Sequence, residues 1–168
     1  MTKLDWLNGL YIRRMKLADL TKACAPFLKE HAAVSNLEKI VSLFQERLKR
    51  LAEINELASF FFNEQLSYDP KILIPKKKKI EETVTTLELV AKTIETLSAG
   101  DFEQSRLKAI FEDFVSEHSL NNTIVLWPLR VAITGREASP GVFEVMAILG
   151  QQKVMARLNA ALAALKKT

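Results

Sequence analysis

The stretch SNLEKIVSLFQERLKRLAEINELASFF, residues 35–61, decides the fold. Leu37, Ile40, Val41, Phe44, Leu48, Leu51, Ile54, Leu57, Ala58 and Phe61 recur three and four apart, the spacing that lines one face of an α-helix. The alternation of a half-buried strand is absent. Ser35 followed three residues later by Glu38 has the form of a capping box. One apolar face carried for about seven turns exceeds the usual helix, so an interruption is expected inside it.

The same period extends outward. Upstream, a helix is predicted over 3–15 with Leu4, Leu7, Leu10, Tyr11 and Met15 in one stripe, and another over 17–30 with Leu17, Leu20, Phe27 and Leu28. Downstream, Tyr68, Asp69 and Pro70, then Pro75 with Lys76, Lys77, Lys78 and Lys79, combine residues that lack an N–H with a like-charge run. Both disfavour continued helix, which places a boundary near residue 66 and two subdomains at 1–66 and 67–168. A helix over 80–98 should end before Gly100 in a left-handed cap, and Asp101 with Gln104 resembles a second capping box opening a helix to about 118. Asn121 or Asn122 can cap a helix that contains Pro128 and runs to Gly135. Ser139 and Pro140 read as cap and first residue of the next, closed by Gly150, and a last helix carries Val154, Leu158, Ala161, Leu162 and Leu165. The chain is predicted to be all-α.

Composition narrows the function classes. The 168 residues are 48% hydrophobic and 26% charged with five Gly and five Pro, which fits a globular helical chain and not a turn-rich β fold. No apolar run approaches the roughly 20 residues of a membrane span, so no membrane partner and a cytoplasmic location are expected. A single cysteine, Cys24, cannot form an internal disulfide, and two histidines, His31 and His118, build no common zinc site, so no metal is expected. Charge is uneven: residues 1–120 hold 18 Lys and Arg against 18 Asp and Glu, and residues 121–168 hold six against two. That excess suits a phosphate-bearing partner or a solvated basic surface.

No phosphate loop, GxGxxG turn, GxSxG elbow or HExxH helix occurs. Cys24 and His31, seven apart, share a helical face, which reads as a core thiol and a surface imidazole in preference to a catalytic pair. Glu81 with Glu82, and Glu112 with Asp113, read as solvated faces. No catalytic residue is assigned. The binding features are of another kind. Between Asn121 and Gly150 two helices meet through Gly135, Arg136, Ser139, Pro140 and Gly141, where a helix start offers unpaired N–H groups to an anion or base edge. Arg130 can grip phosphate or a base edge with its planar fork. Spacing alone leaves an ordinary helical hairpin and a nucleic-acid site both open.

The segment WPLRVAITGREASPGVFEVMAILGQQKV, residues 127–154, strongly resembles the C-terminal signature of the bacterial glutamyl-tRNA synthetases: a PLR-(V/A)-A-(I/L)-TG run, a P-x-(V/L)-FE run and a terminal LG. LDWLNGLYIRRM, residues 4–15, is similar to the segment that follows that family's catalytic domain. LFQERLKRLAEINELASFFF, residues 43–62, resembles its first anticodon-binding helices. The resemblance runs from about Lys3 to Leu165. It implies an all-α, two-subdomain helical bundle of the α-helix cage type that binds the anticodon loop of the glutamate tRNA, with the parent's catalytic domain as second partner. The HIGH-like and KMSKS-like motifs of that catalytic domain do not occur here. ATP and magnesium are accordingly expected to act there, with no cofactor in this chain.

By the same resemblance, Arg47 occupies the position where discriminating synthetases read the third anticodon base, and an arginine can donate to a cytosine carbonyl. Arg130, Ser139, Val142 and Phe143 match positions lining the pocket for the other anticodon bases. Val142 and Phe143 also lie on an amphipathic stripe, which makes Phe143 a candidate for the core. Lys76, Lys77, Lys78, Lys79 and Arg136 are weaker candidates for phosphate contacts. Trp127 stands where the family commonly has a small polar residue. The runner-up is a helical interaction protein that kept the scaffold without RNA affinity.

Overall fold

The computed structural model describes residues 3–28 and 35–167, and among them every regular element is helical. The chain divides into two compact units between Glu64 and Gln65. His31, and the predicted end of the second helix at 29–30, lie outside the described residues.

The first unit holds α1 (Lys3–Arg14), α2 (Leu17–Leu28), α3 (Leu37–Ser42) and α4 (Glu53–Phe62). Helices α2, α3 and α4 pack on one another around Leu20, Cys24, Ile40, Phe44, Leu48, Ile54 and Ala58, all nearly or fully buried. Phe60 and Phe61 pack tilted at 4.4 Å between ring centroids, and each meets Phe44 edge-on at 6.4 Å. Aromatic pairs of this kind are worth about 0.5–1.5 kcal/mol beyond the area they bury.

The expected interruption of 35–61 falls at 43–52. Glu53 Oε2 accepts from the backbone N–H of Lys49 at 2.9 Å and of Arg50 at 3.3 Å, and this carboxylate closes the turns just before α4. The turns are partly of the tighter i→i+3 kind, such as Arg47 N–H to Phe44 O at 2.8 Å, and they keep Phe44 and Leu48 inside. The predicted Ser35–Glu38 box does not form: Asn36 precedes α3 without a side-chain cap. The α1 stripe is largely uncovered. Leu4, Leu7 and Tyr11 are 64%, 41% and 65% exposed, as is Trp6 at 54%, and Ile12 is what α1 buries. Phe27 on α2 is also exposed.

The second unit holds α5 (Ile80–Glu95), α6 (Gln104–Glu117), α7 (Asn122–Thr134) and α8 (Val142–Leu165), with a 3-10 turn at Pro70–Leu73. Helices α5, α6 and α7 each pack on α8, and the 3-10 turn packs on α7 and α8. Val154, Leu158, Ala161, Leu162 and Leu165 are buried, as their spacing predicts. Gly150 interrupts α8 with φ +75° and ψ 163°, so the predicted stop is a kink. Beside it Gln151 Nε2 donates to the carbonyls of Ile94 and Leu97, both at 2.9 Å, closing the end of α5.

Caps elsewhere move by a few residues. Asp101 Oδ2 accepts from Ser98 N–H at 2.9 Å and Ser98 Oγ at 2.6 Å, so its box closes backward on a 3-10 turn and α6 begins at Gln104. Gly100 sits in that turn, and α5 ends at Thr96 in right-handed geometry. Asn121 Oδ1 caps α7 by accepting from Ile124 N–H at 3.0 Å.

Candidate nucleic-acid interface

The turn between α7 and α8 is built from inside. Gly135 takes φ +69° at the end of α7, and a Cβ there would lie 3.1 Å from Tyr68 Cδ1, so both backbone and space call for glycine. Thr134, buried, donates through Oγ1 to Arg130 O at 2.7 Å and accepts from Arg136 N–H at 3.2 Å. Arg130 Nη1 then reaches across the turn, donating to Ser139 O at 3.1 Å, Ser139 Oγ at 2.7 Å and Pro140 O at 2.8 Å. Ser139 Oγ in turn donates to Pro140 O at 2.9 Å. Ser139 is therefore not the cap of α8. Its hydroxyl and its carbonyl are drawn inward by the guanidinium, and Gly141 takes the cap position.

The start of α8 is also occupied. Gly141 N–H donates to Glu144 Oε2 at 2.9 Å, and Glu144 Oε1 accepts from Gln104 Nε2 at 3.3 Å. A carboxylate of the chain's own stands where the helix dipole favours negative charge, so the open anion site expected at Pro140 is already filled. Val142 is 4% exposed and belongs to the core. Phe143 is half-buried, its ring 5.5 Å from that of Phe111. The two rings, with Lys108, Asn122 and Leu126, border a depression of about 130 Å³. Arg136 is half-buried in the turn itself.

Trp127 is accommodated by a bond that its indole alone supplies, Nε1 donating to Ile72 O at 2.9 Å. That bond joins the 3-10 turn to α7. Lys76, Lys77, Lys78 and Lys79 are exposed in the loop before α5; Lys77 has φ +64°, and Lys78 Nζ lies 3.6 Å from Glu82.

In the first unit Arg47 is exposed between two anchors, Phe44 and Leu48. Gln45 Nε2 donates to the carbonyls of Ile12 at 3.0 Å and Met15 at 2.9 Å, which fixes the segment against the end of α1. The carboxylate of Glu53 is engaged by backbone N–H groups, and Arg50 pairs with Asp5 at 2.8 Å. Among the described residues Arg47 has no carboxylate partner within ion-pair distance.

Sequence reasoning did not single out Arg157, and it named Tyr68 only as part of the break before Pro70. Arg157 is 4% exposed on α8 and donates through Nη1 to Ile133 O. Burial pulls its guanidinium down to about 10 against the opposing pull of Tyr68, and burial pushes the Tyr68 phenol up to about 12 with Arg157 opposing. The available signal was position: Arg157 sits three residues after Val154 in a stripe of core residues. Among the described residues no group of three or more His, Cys, Asp or Glu is placed to hold a metal, and no helix is long and apolar enough to cross a membrane.

The anticodon-binding domain family matches residues 19–162, and the chain belongs to that family. Its likeness is to the glutamate–tRNA ligases in particular. It is 40% identical to the enzyme of that name from Herpetosiphon aurantiacus over 97% of this chain and 34% of the relative, and 36% identical to that of Clostridium botulinum over 98% and 34%. The chain thus spans about a third of the length of the curated relatives it matches. The crystal structure of a glutamate tRNA ligase from Elizabethkingia meningosepticum in complex with its amino acid superposes with a TM-score of 0.84 at 26% identity, covering 96% of this chain and 32% of that one.

Proposed function

We propose that this chain is the part of a glutamate–tRNA ligase that binds the anticodon loop of the glutamate tRNA in the cytoplasm. The observation that carries the reading is the likeness to glutamate–tRNA ligases along nearly the whole chain. In this reading each unit contributes a surface. Arg47 is exposed, has no carboxylate partner among the described residues, and is held by Gln45, Phe44 and Leu48; in this reading it donates to the third anticodon base. The turn from Arg136 to Gly141, shaped by Arg130 and Ser139, meets the loop with Arg136 and the free part of Phe143. Single-stranded bases suit such a surface because their edges and faces can be unstacked and contacted. Lys76, Lys77, Lys78 and Lys79 supply phosphate contacts.

Activation of glutamate by ATP with magnesium, and its transfer to the tRNA, are assigned to the remainder of the longer ligase; no step of that chemistry is derived from residues of this chain. The exposed Leu4, Trp6, Leu7 and Tyr11 on α1 are assigned to contact with that remainder. The test is titration of the purified chain with an anticodon stem-loop of the glutamate tRNA at several salt concentrations. Counterion release predicts affinity that falls steeply as salt rises. No binding at low salt would refute the reading.

A further inference from the structure

Among the described residues one charged side chain lies in the core, and it lies under the α7–α8 turn. A helix leaves its last carbonyls without intrahelical donors and carries partial negative charge at that end. Ile133 O is such a carbonyl, and Arg157 Nη1 donates to it. Tyr68, from the opposite end of the unit's sequence, faces the same guanidinium and closes against Gly135, where a Cβ would approach to 3.1 Å. The next residues along the chain, Arg136 to Gly141, form the turn that Arg130 ties together. The end of α7 is thus gripped from below by Arg157 and flanked by Tyr68, and from it the turn projects.

A buried arginine that served only stability would be replaceable by a long apolar side chain, since desolvating a charge offsets most of what its bonds contribute. Here the donor lies at one of the last carbonyls of α7, two residues before Gly135, where the turn begins. We infer that Arg157 is a positioning residue for RNA recognition, holding the end of α7 and hence the Arg136–Gly141 turn in its binding shape without touching RNA. The inference rests on the anticodon-binding reading above.

Arg157→Met and Arg157→Lys, prepared in this chain and studied well below their unfolding temperatures, test it with three readouts. Amide hydrogen exchange, which needs no RNA, should quicken by about tenfold or more at residues 135–141 in Arg157→Met and stay unchanged in α5 and α6. Affinity for the glutamate anticodon stem-loop should fall about tenfold in Arg157→Met, with Arg157→Lys regaining part of it, and the slope against salt should stay at the wild-type value. A slope reduced by about one would mark a phosphate contact and overturn the inference. So would wild-type exchange at 135–141 together with unchanged affinity, even if the melting temperature dropped. Should Arg157→Met fail to fold, the lysine variant decides by the same readouts. Absence of RNA binding by the wild-type chain would overturn the anticodon reading itself, a different result from unaltered exchange in the variants.

Discussion

Arg130 Nη1 and Ser139 Oγ lie 2.7 Å apart across the turn between α7 and α8, nine residues apart in sequence. The same nitrogen also serves two carbonyls, Ser139 O and Pro140 O. Arg130 therefore acts first on the shape of the turn, and in the proposed reading any effect on RNA passes through that shape.

Arg130→Ala should remove these three bonds and leave three acceptors on the buried residues Ser139 and Pro140 without this donor, lowering stability by about 1–3 kcal/mol. Urea denaturation monitored by circular dichroism measures this. Affinity for the anticodon stem-loop should fall by more than in alanine variants of Lys76, Lys77, Lys78 or Lys79 taken singly, because a mobile phosphate contact contributes less than an ordered turn. Equal losses in all five variants would mean that binding is only electrostatic.

Gly135→Ala should be among the costlier small substitutions in the second unit. An alanine at φ +69° is strained by about 1–2 kcal/mol, and its Cβ would press on Tyr68 at 3.1 Å. The double variant Gly135→Ala with Tyr68→Ala separates the two effects: thermal denaturation should show the contact part relieved and the backbone part remaining. Additive losses would show that Tyr68 does not crowd position 135.

Cys24 is fully buried, and burial pushes its thiol up to about 11 from the ordinary 9.0. The stability this neutral thiol contributes is present below pH 9.0, where folded and unfolded chains both hold the proton, and is lost as pH rises toward about 11. Between pH 9 and 10 the wild type should therefore lose stability faster than Cys24→Ala, as read from urea midpoints. Modification by a thiol reagent at neutral pH should be slow and track unfolding; rapid labelling of the native chain would contradict the burial.

Much of the fold is legible because apolar spacing reports which side faces in, and Phe44, Leu48, Ile54, Ala58, Leu158 and Leu165 are buried as their period requires. The same signal cannot see the break at 43–52, since Phe44 and Leu48 keep their phase through tighter turns. In α1 it marks a face without saying what covers it. Cap signatures locate helix starts to within a few residues, but Ser, Asp and Glu have more than one backbone N–H in reach: Asp101 closes on Ser98 and Glu144 displaces Ser139 as the partner at α8. Residue chemistry alone points to Arg130, Arg136 and Ser139 in the turn, whereas Arg47, Val142 and Phe143 came from family resemblance, which periodicity cannot supply. The grip of Arg157 and Tyr68 on the end of α7 joins residues 68, 133, 135 and 157, and only the tertiary path brings these together.

In the proposed function Arg47 supplies the specificity for the third anticodon base. A donor aimed at a base edge is left unsatisfied by the wrong base, at roughly 1–3 kcal/mol, whereas a phosphate contact is indifferent to the base. The most direct measurement compares the chain's affinity, at one fixed salt concentration, for two stem-loops that differ only in the third anticodon base, cytosine in one and guanine in the other, with wild type and with Arg47→Gln. The account predicts that wild type prefers the cytosine loop by about tenfold or more and that Arg47→Gln narrows this preference chiefly by admitting the guanine loop. Equal affinity of the wild type for both loops, or an equal loss on both in Arg47→Gln, would contradict it.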